Sequence, residues 1–372
     1  LPTAEAYWDW STRQSLARTI SIGGGTIQSG GGRSDSRDLG LSLAVTLYDS
    51  TTRPSLAQAR ASAQAAEYRL EDARRELALN VARLYLTALG QEQLAEVAAS
   101  ALLSAQRQLE MVDATIAAGT AAAADRFPVQ AQLARARLNA TAAESALSQV
   151  LADLRATLGL PPGPPLQLSD RLAQVQVPGE TADLVAQALQ TRPDVLAQRA
   201  AVEASRWSLR VAQAQAGLAY SVTAQGDYGR HNDNTGEAWS VGAGVSYPLF
   251  DPGARAEVRA AEANYLAAQA QLAELELSVR REVEQQHLAL AEAAERIVAA
   301  QAAEESARAS LEAAEARYAA QVAIILEVTN ADQALREAQA SRVQALYDYN
   351  LAQITLMSAI GVDLLQALGA SQ

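Results

Sequence analysis

Residues 239–251 read WSVGAGVSYPLFD and residues 39–49 read LGLSLAVTLYD. Both stretches alternate. Trp239, Val241, Ala243, Val245, Tyr247 and Leu249 share one face, against Ser240, Gly242, Gly244 and Ser246. Leu39, Leu41, Leu43, Val45 and Leu47 likewise oppose Gly40, Ser42, Ala44 and Thr46. Period two means half-exposed β-strands. The stretches close on matching triplets, Leu47-Tyr48-Asp49 and Leu249-Phe250-Asp251, 202 residues apart (251 − 49 = 202). The same offset pairs Leu70 with Leu272, Leu109 with Leu311, Leu133 with Leu335 and Gly159 with Gly361. A unit this long is no solenoid repeat. The chain is two halves of one pseudo-symmetric body, residues 1–160 and 181–361.

Each of these strands needs a partner. Residues 220–229 supply one: Tyr220, Val222, Ala224 and Tyr228 oppose Ser221, Thr223, Gln225 and Asp227, and the strand beside them spans 238–250. In the first half residues 16–28 are expected to pair with 39–48, although Gly23-Gly24-Gly25 interrupts them. The Gly/Asn/Asp-rich segments Ser29–Asp38 and Gly229–Gly236 read as hairpin loops.

Both hairpins feed long helical patterns, 54–118 and 253–319. Leu56, Leu70, Leu77 and Leu84 lie on one heptad grid; Val81, Leu102, Leu109 and Ile116 lie on another, shifted by four. The second half repeats this, with Val258, Tyr265, Leu272 and Val279 followed by Val283, Leu290, Ile297, Leu311 and Tyr318. Heptads with a four-residue stutter predict a locally unwound coiled coil. Sixty-odd residues at 1.5 Å each make a rod of roughly 90–100 Å. The patterns break near Gly119 and Gln321, and antiparallel return helices are expected at 125–158 and 325–360. Pro161-Pro162-Gly163-Pro164-Pro165 marks a linker over 161–180, a helix is expected over 181–217, and 362–372 form a tail. The first-half counterpart of 181–217 would begin near position −21 (181 − 202 = −21), so the opening helix is read as largely missing. The chain starts Leu1-Pro2 with neither Met nor signal peptide, as a mature or shortened chain would.

The chain has 372 residues and is 49% hydrophobic, much of that alanine, which suits long, closely packed helices. All 30 basic residues are Arg, and the net charge of −12 argues against nucleic acid as a partner. Cysteine is absent, which removes disulfides and thiolate chemistry. No stretch is long and apolar enough for a membrane helix. His231 and His287 are isolated, no Ser/His/Asp set is spaced for catalysis, and the Gly23–Gly25 run lacks the Lys-Ser/Thr of a phosphate loop. No catalytic residue, cofactor or metal site is predicted.

Strands of about nine to eleven residues cross a bilayer when tilted. Their small-polar face would suit a wet lumen and their apolar face lipid. Only helices and closed barrels span lipid, and bacterial barrels have eight strands or more. Four strands per copy therefore require pooling. Tyr48, Tyr220, Tyr228, Trp239, Tyr247 and Phe250 lie towards strand ends, where interfacial aromatics belong. The alternative on these residues alone is a soluble sandwich flap on a coiled-coil stalk, a structural envelope protein without a pore.

Four short motifs sit in order on this duplication. They are Leu158-Gly159-Leu160-Pro161-Pro162-Gly163, Thr191-Arg192-Pro193-Asp194-Val195, Leu249-Phe250-Asp251 and Arg317-Tyr318. Together they resemble the TolC family of outer-membrane factors, closest to the branch serving resistance-nodulation-division pumps. The resemblance implies a mainly α protein with a small β part. It implies a homotrimer with a 12-stranded barrel in the outer membrane of a Gram-negative bacterium, and long antiparallel helices forming a periplasmic tunnel. A periplasmic adaptor and an inner-membrane pump are the implied partners, and small molecules such as drugs or metals the cargo. A type I protein-secretion channel is the alternative within the family; the Arg-Pro-Asp and Pro-Pro-Gly features favour the pump branch.

The family's helix tip carries two Asp that form an acidic ring. Counted from Arg317-Tyr318, those positions hold Glu327 and Asn330 here. Asp125 is the first-half match of Glu327, and Asp332 is a possible second carboxylate. Three Glu327 side chains near a three-fold axis would favour cations. An acidic residue at that point is equally explained as the favourable start of a return helix. Tyr318 fits the Tyr of a Tyr–Arg lock seen in some relatives, but the Arg position is Ala323. Gly119, Thr120, Gln321 and Val322 are the expected adaptor-contacting tips.

Overall fold

The computed structural model describes residues 3–14, 18–22, 25–29, 33–119, 122–161, 163, 166–169, 172, 179–231 and 234–363. Its strands are β1 (Thr3–Gln14), β2 (Arg18–Ile22), β3 (Gly25–Ser29), β4 (Arg33–Asp49), β5 (Ala219–His231) and β6 (Asn234–Ser246). Its α-helices are α1 (Thr52–Ala117), α2 (Arg126–Thr157), α3 (Thr181–Thr191), α4 (Pro193–Ala216), α5 (Pro252–Ala319) and α6 (Ile325–Ala359). The chain divides into two units, Leu1–Ala65 with Gln198–Gln271, and Ala66–Ala197 with Leu272–Gln372.

The first unit holds a four-stranded antiparallel sheet in the order β1-β4-β5-β6. Here the structure corrects the strand expected over 16–28. The partner of β4 is β1, in unbroken register from Thr3↔Ala44 to Gln14↔Arg33. The glycine run splits 16–28 instead, and β2 and β3 pair with each other as a separate ribbon. Twelve continuous residues with an alternating Ala4, Ala6, Trp8, Trp10 face outcompete a segment broken by three glycines. The strands are also longer than expected: β4 starts at Arg33, inside the predicted loop Ser29–Asp38, while β6 stops at Ser246. Pro248 follows, with no N–H for a ladder, so the strand predicted at 238–250 is shifted to Asn234–Ser246 and starts inside the predicted loop Gly229–Gly236. A bulge between Thr46 and Tyr48 sets Tyr48 opposite Val222.

The second unit is helical. On α6, Ala345, Tyr349, Ala352, Leu356 and Ala359 are buried at alternating spacings of four and three, a coiled-coil seam. They meet Val279, Val283, Leu290 and Ile297 of α5 and Leu184, Ala188 and Val195 of α3 and α4. Helix 181–217 is corrected to two helices, because Arg192 is extended (ψ 124°), as a residue before proline prefers. That break is put to use. Arg192 Nη1 donates to the Ala359 carbonyl (3.1 Å) and to Glu282 (2.7 Å), and Thr191 Oγ1 to the Ile360 carbonyl (2.9 Å). Arg75 Nη1 donates to the Ser358 carbonyl (3.1 Å). Side chains from α1 and the α3–α4 junction thereby bond three carbonyls at the end of α6, where a helix runs out of its own donors; Ser358 O also accepts from Gly361 N–H.

Both halves end their helices alike. Gly159 and Gly361 have φ of 66° and 75°, and Leu160 N and Val362 N donate back to Arg155 O and Met357 O, the Schellman closure. Gly119 has φ 76° and Gln321 φ 60°; Gln321 is the one non-glycine residue with positive φ among those described. Most of the linker 161–180 and the tail beyond residue 363 lie outside the described residues.

Candidate functional site: helix tips and sheet faces

The tip site lies in the second unit, where α1 and α5 end and α2 and α6 begin. A small core holds the four ends together: Val112, Val129, Ala314, Ile325 and Val328 are buried, with Leu109, Ile116, Leu311 and Tyr318 packed against them. Tyr318 is therefore a packing residue. The turn of the first half passes through a short 3-10 segment, Ala123–Asp125, so Asp125 precedes α2 and does not open it. Gly119, Gln321 and Val322 are exposed, Val322 at 75%. Thr120 lies outside the described residues.

The carboxylates part company. Glu327 is half-exposed in the first turn of α6, with Arg317 Nη2 3.2 Å away across the turn. Asp332, expected as a further aperture carboxylate, is instead turned inwards and only 3% exposed. It accepts from Arg336 Nη2 (2.9 Å) and Gln132 Nε2 (3.2 Å), and Arg336 reaches on to Ser100 and Ser104 of α1. Its i,i+4 spacing from Arg336 signalled this pair in the sequence. Asn330 is exposed, on the rim of a groove of about 570 Å³ between α1, α2 and α6. The structure also brings out tip residues that sequence reading missed: Phe127, Ile324 and Leu326 are all exposed apolar side chains.

A second ionic cluster sits at the α3–α4 break. Burial opposes ionisation of Asp194, but hydrogen bonding and charge from Arg192, helped by Val195 N–H and Arg75, hold its carboxyl below the usual range. Burial likewise disfavours the Arg192 charge; Asp194 and Glu282 outweigh it and keep the guanidinium protonated. The Arg-Pro-Asp motif is thus a clasp on α6.

In the first unit the register sorts the sheet into two faces. Trp8, Leu39, Leu41, Leu43, Tyr228, Trp239, Val241 and Val245 share one, all exposed, Trp239 at 82%. Glu5, Tyr7, Asp9, Gly40, Ser42, Thr223, Gln225, Asp227, Ser240, Gly242 and Gly244 share the other. Trp8 and Trp10 of β1 add two exposed aromatics to those expected from the sequence. The bulge brings Tyr48 onto the apolar side, where its ring stacks on Tyr220 at 5.3 Å between centroids and 8° between planes. Tyr247 and Phe250 lie just past the end of β6, both exposed. Among the described residues no cluster of His, Cys, Asp and Glu could hold a metal ion. His287 is half-buried, and the side chain of His231 lies outside the described residues.

The family described as outer membrane efflux protein matches residues 3–160 and 184–362. The chain belongs to that family. Outer membrane protein TolC of Vibrio cholerae is 26% identical over 340 residues, covering 88% of this chain and 77% of that protein. The outer-membrane channel OprN superposes with a TM-score of 0.80 at 22% identity, over 98% of this chain and 82% of that one. The MtrE channel of Neisseria gonorrhoeae, in its open state, superposes at 0.79 and 19% identity, over 97% and 81%. As an outer membrane efflux protein, the chain is an outer-membrane channel component of a tripartite pump and reaches into the periplasm. The family is one of transport.

Proposed function

We propose that three copies of this chain pool their sheets into one barrel and conduct small molecules passively. The observation that carries this reading is the sheet, with four strands, an exposed apolar face, a small-polar face and outer edges on β1 and β6. An exposed apolar face of this kind is stable in lipid, and edges are removed only by closure. Four strands from each of three copies make twelve. Leu70 and Leu77 on α1 and Leu277 and Leu288 on α5 are exposed in one protomer and supply apolar surface for neighbouring copies.

The tips, with Gly119, Gln321 and Val322 and the exposed Phe127 and Ile324, are the surface offered to a periplasmic adaptor, itself bound to an inner-membrane pump. Glu327 is the aperture carboxylate, its charge partly offset by Arg317. Asn330 and Asp125 flank it, while Asp332 serves structure. Planar-bilayer recording of the purified protein tests the whole reading. Uniform conductance steps from a particle of trimer mass are expected. Silence from a folded trimer would overturn it. Glu327→Ala should lower cation preference and Arg317→Ala raise it; unchanged selectivity in both would remove Glu327 from the aperture.

A further inference from the structure

We propose that Tyr48, Arg53 and Tyr220, with Arg255 at the matching point of the second half, form a binding surface for the headgroup phosphate of an anionic glycerophospholipid. This rests on the reading that the apolar sheet face meets lipid. The guanidinium of Arg53 lies over the Tyr48 ring, 5.9 Å from its centroid, and the Tyr48 and Tyr220 hydroxyls are 3.3 Å apart. One hydroxyl hydrogen is used between the two phenols, so the other remains to donate outward. Arg255 follows Arg53 by 202 residues (255 − 53 = 202) and falls just after Phe250, as Arg53 falls just after Tyr48. Both arginines are exposed. Among the described residues neither forms an ion pair, although the chain carries 42 acidic side chains. Asp49 and Asp251, the nearest carboxylates in sequence, are engaged at the helix starts: Asp49 accepts from Thr51 and Asp251 from the Ala254 N–H.

The position of these groups identifies the ligand. Next to them along the chain are Leu47, Leu249 and Phe250, exposed at 59%, 88% and 84%. The strands leave the apolar face there and charged helices begin, so this is the level at which lipid gives way to water. A ligand must therefore offer an acyl chain to the leucines and phenylalanine and an anion to the arginines. An anionic phospholipid offers both, and free phosphate offers only the second. Attraction of an arginine to such a headgroup corresponds to about a fivefold gain in binding for each side chain.

Native mass spectrometry of the detergent-solubilised protein, titrated with phosphatidylglycerol and with phosphatidylcholine of the same acyl chains, is the test. Wild type should retain phosphatidylglycerol at least about fivefold better. The variant Arg53→Gln/Arg255→Gln should lose that preference while keeping its mass and bilayer conductance. Arg53→Lys should keep part of it, since charge remains but the planar stack does not. An unchanged preference in the double Gln variant overturns the proposal. So does full displacement of the lipid by millimolar inorganic phosphate, which would indicate a free-anion site. Failure of wild type to conduct at all would count against the channel reading, a result separate from either.

Discussion

Gln321 occupies a conformation that its first-half counterpart, Gly119, adopts without strain. With φ at 60° its Cβ crowds the backbone, which costs roughly 1–2 kcal/mol. Gln321→Gly should therefore tighten the end of α5. Hydrogen exchange of the amides around Tyr318–Val322 should slow by about fivefold or more. Gly361 presents the reverse case. Its φ is 75°, and a Cβ there would stand 2.6 Å from Thr191 Oγ1 and 3.0 Å from Arg192 N. Gly361→Ala should cost about 2 kcal/mol or more in thermal unfolding, because strain and collision fall on the same atom. Nothing in the local sequence of Gly361 marks it as tighter than Gly159, which has open space around it; that difference exists only once α3 is packed beside it.

At the scale of the element, charge decides what α6 can do. Asp332 is buried with Arg336, so Asp332→Ala leaves a guanidinium without its counter-ion and should cost about 3 kcal/mol. The paired replacement Asp332→Leu/Arg336→Met should recover most of this. Equal destabilisation in both variants would show that the pair is not the cause. At the other end of α6, Asp194 is held below the ordinary aspartate value of 3.8. Its pKa is lower folded than unfolded, so its contribution is complete above the unfolded value and is lost as pH falls through the folded one. Melting temperatures of wild type and Asp194→Asn should therefore differ most near neutrality and converge below pH about 4. Part of this element is legible in the sequence: a return helix over 325–360 follows from the break near Gln321, and the Asp332–Arg336 spacing is visible. Which carboxylate turns inward is not, because that depends on Gln132 of α2 and Ser100 and Ser104 of α1, 200 residues or more away. β1 is hidden in the sequence for a different reason. Its apolar face is half alanine, a weaker alternation than the longer aliphatics of 16–28 offer.

For the whole molecule, the two faces of the sheet make opposite demands. Val241→Arg puts a charge on the apolar face and should cost about 2–4 kcal/mol of membrane stability, seen as loss of heat-resistant, inserted protein. Its neighbour Ser240 points the other way. Ser240→Arg should leave insertion intact and shift ion selectivity towards anions. Equal effects from both would mean that the faces are not divided between lipid and lumen. Alternation in the sequence sufficed for this division, since register slips of one residue would exchange every side chain.

The outer edges of β1 and β6 have one more consequence. On the proposed assembly each copy offers a donor-and-acceptor row along β1 and along β6, so each added copy would regenerate the template that recruited it. Growth by this route has no chemical terminator. It stops only when the accumulated twist and tilt bring the first edge round to the last, and all ladder groups are consumed at once. On that assembly the twist of each four-stranded segment would count the subunits, and a substitution that flattened it would yield open ribbons of no fixed size.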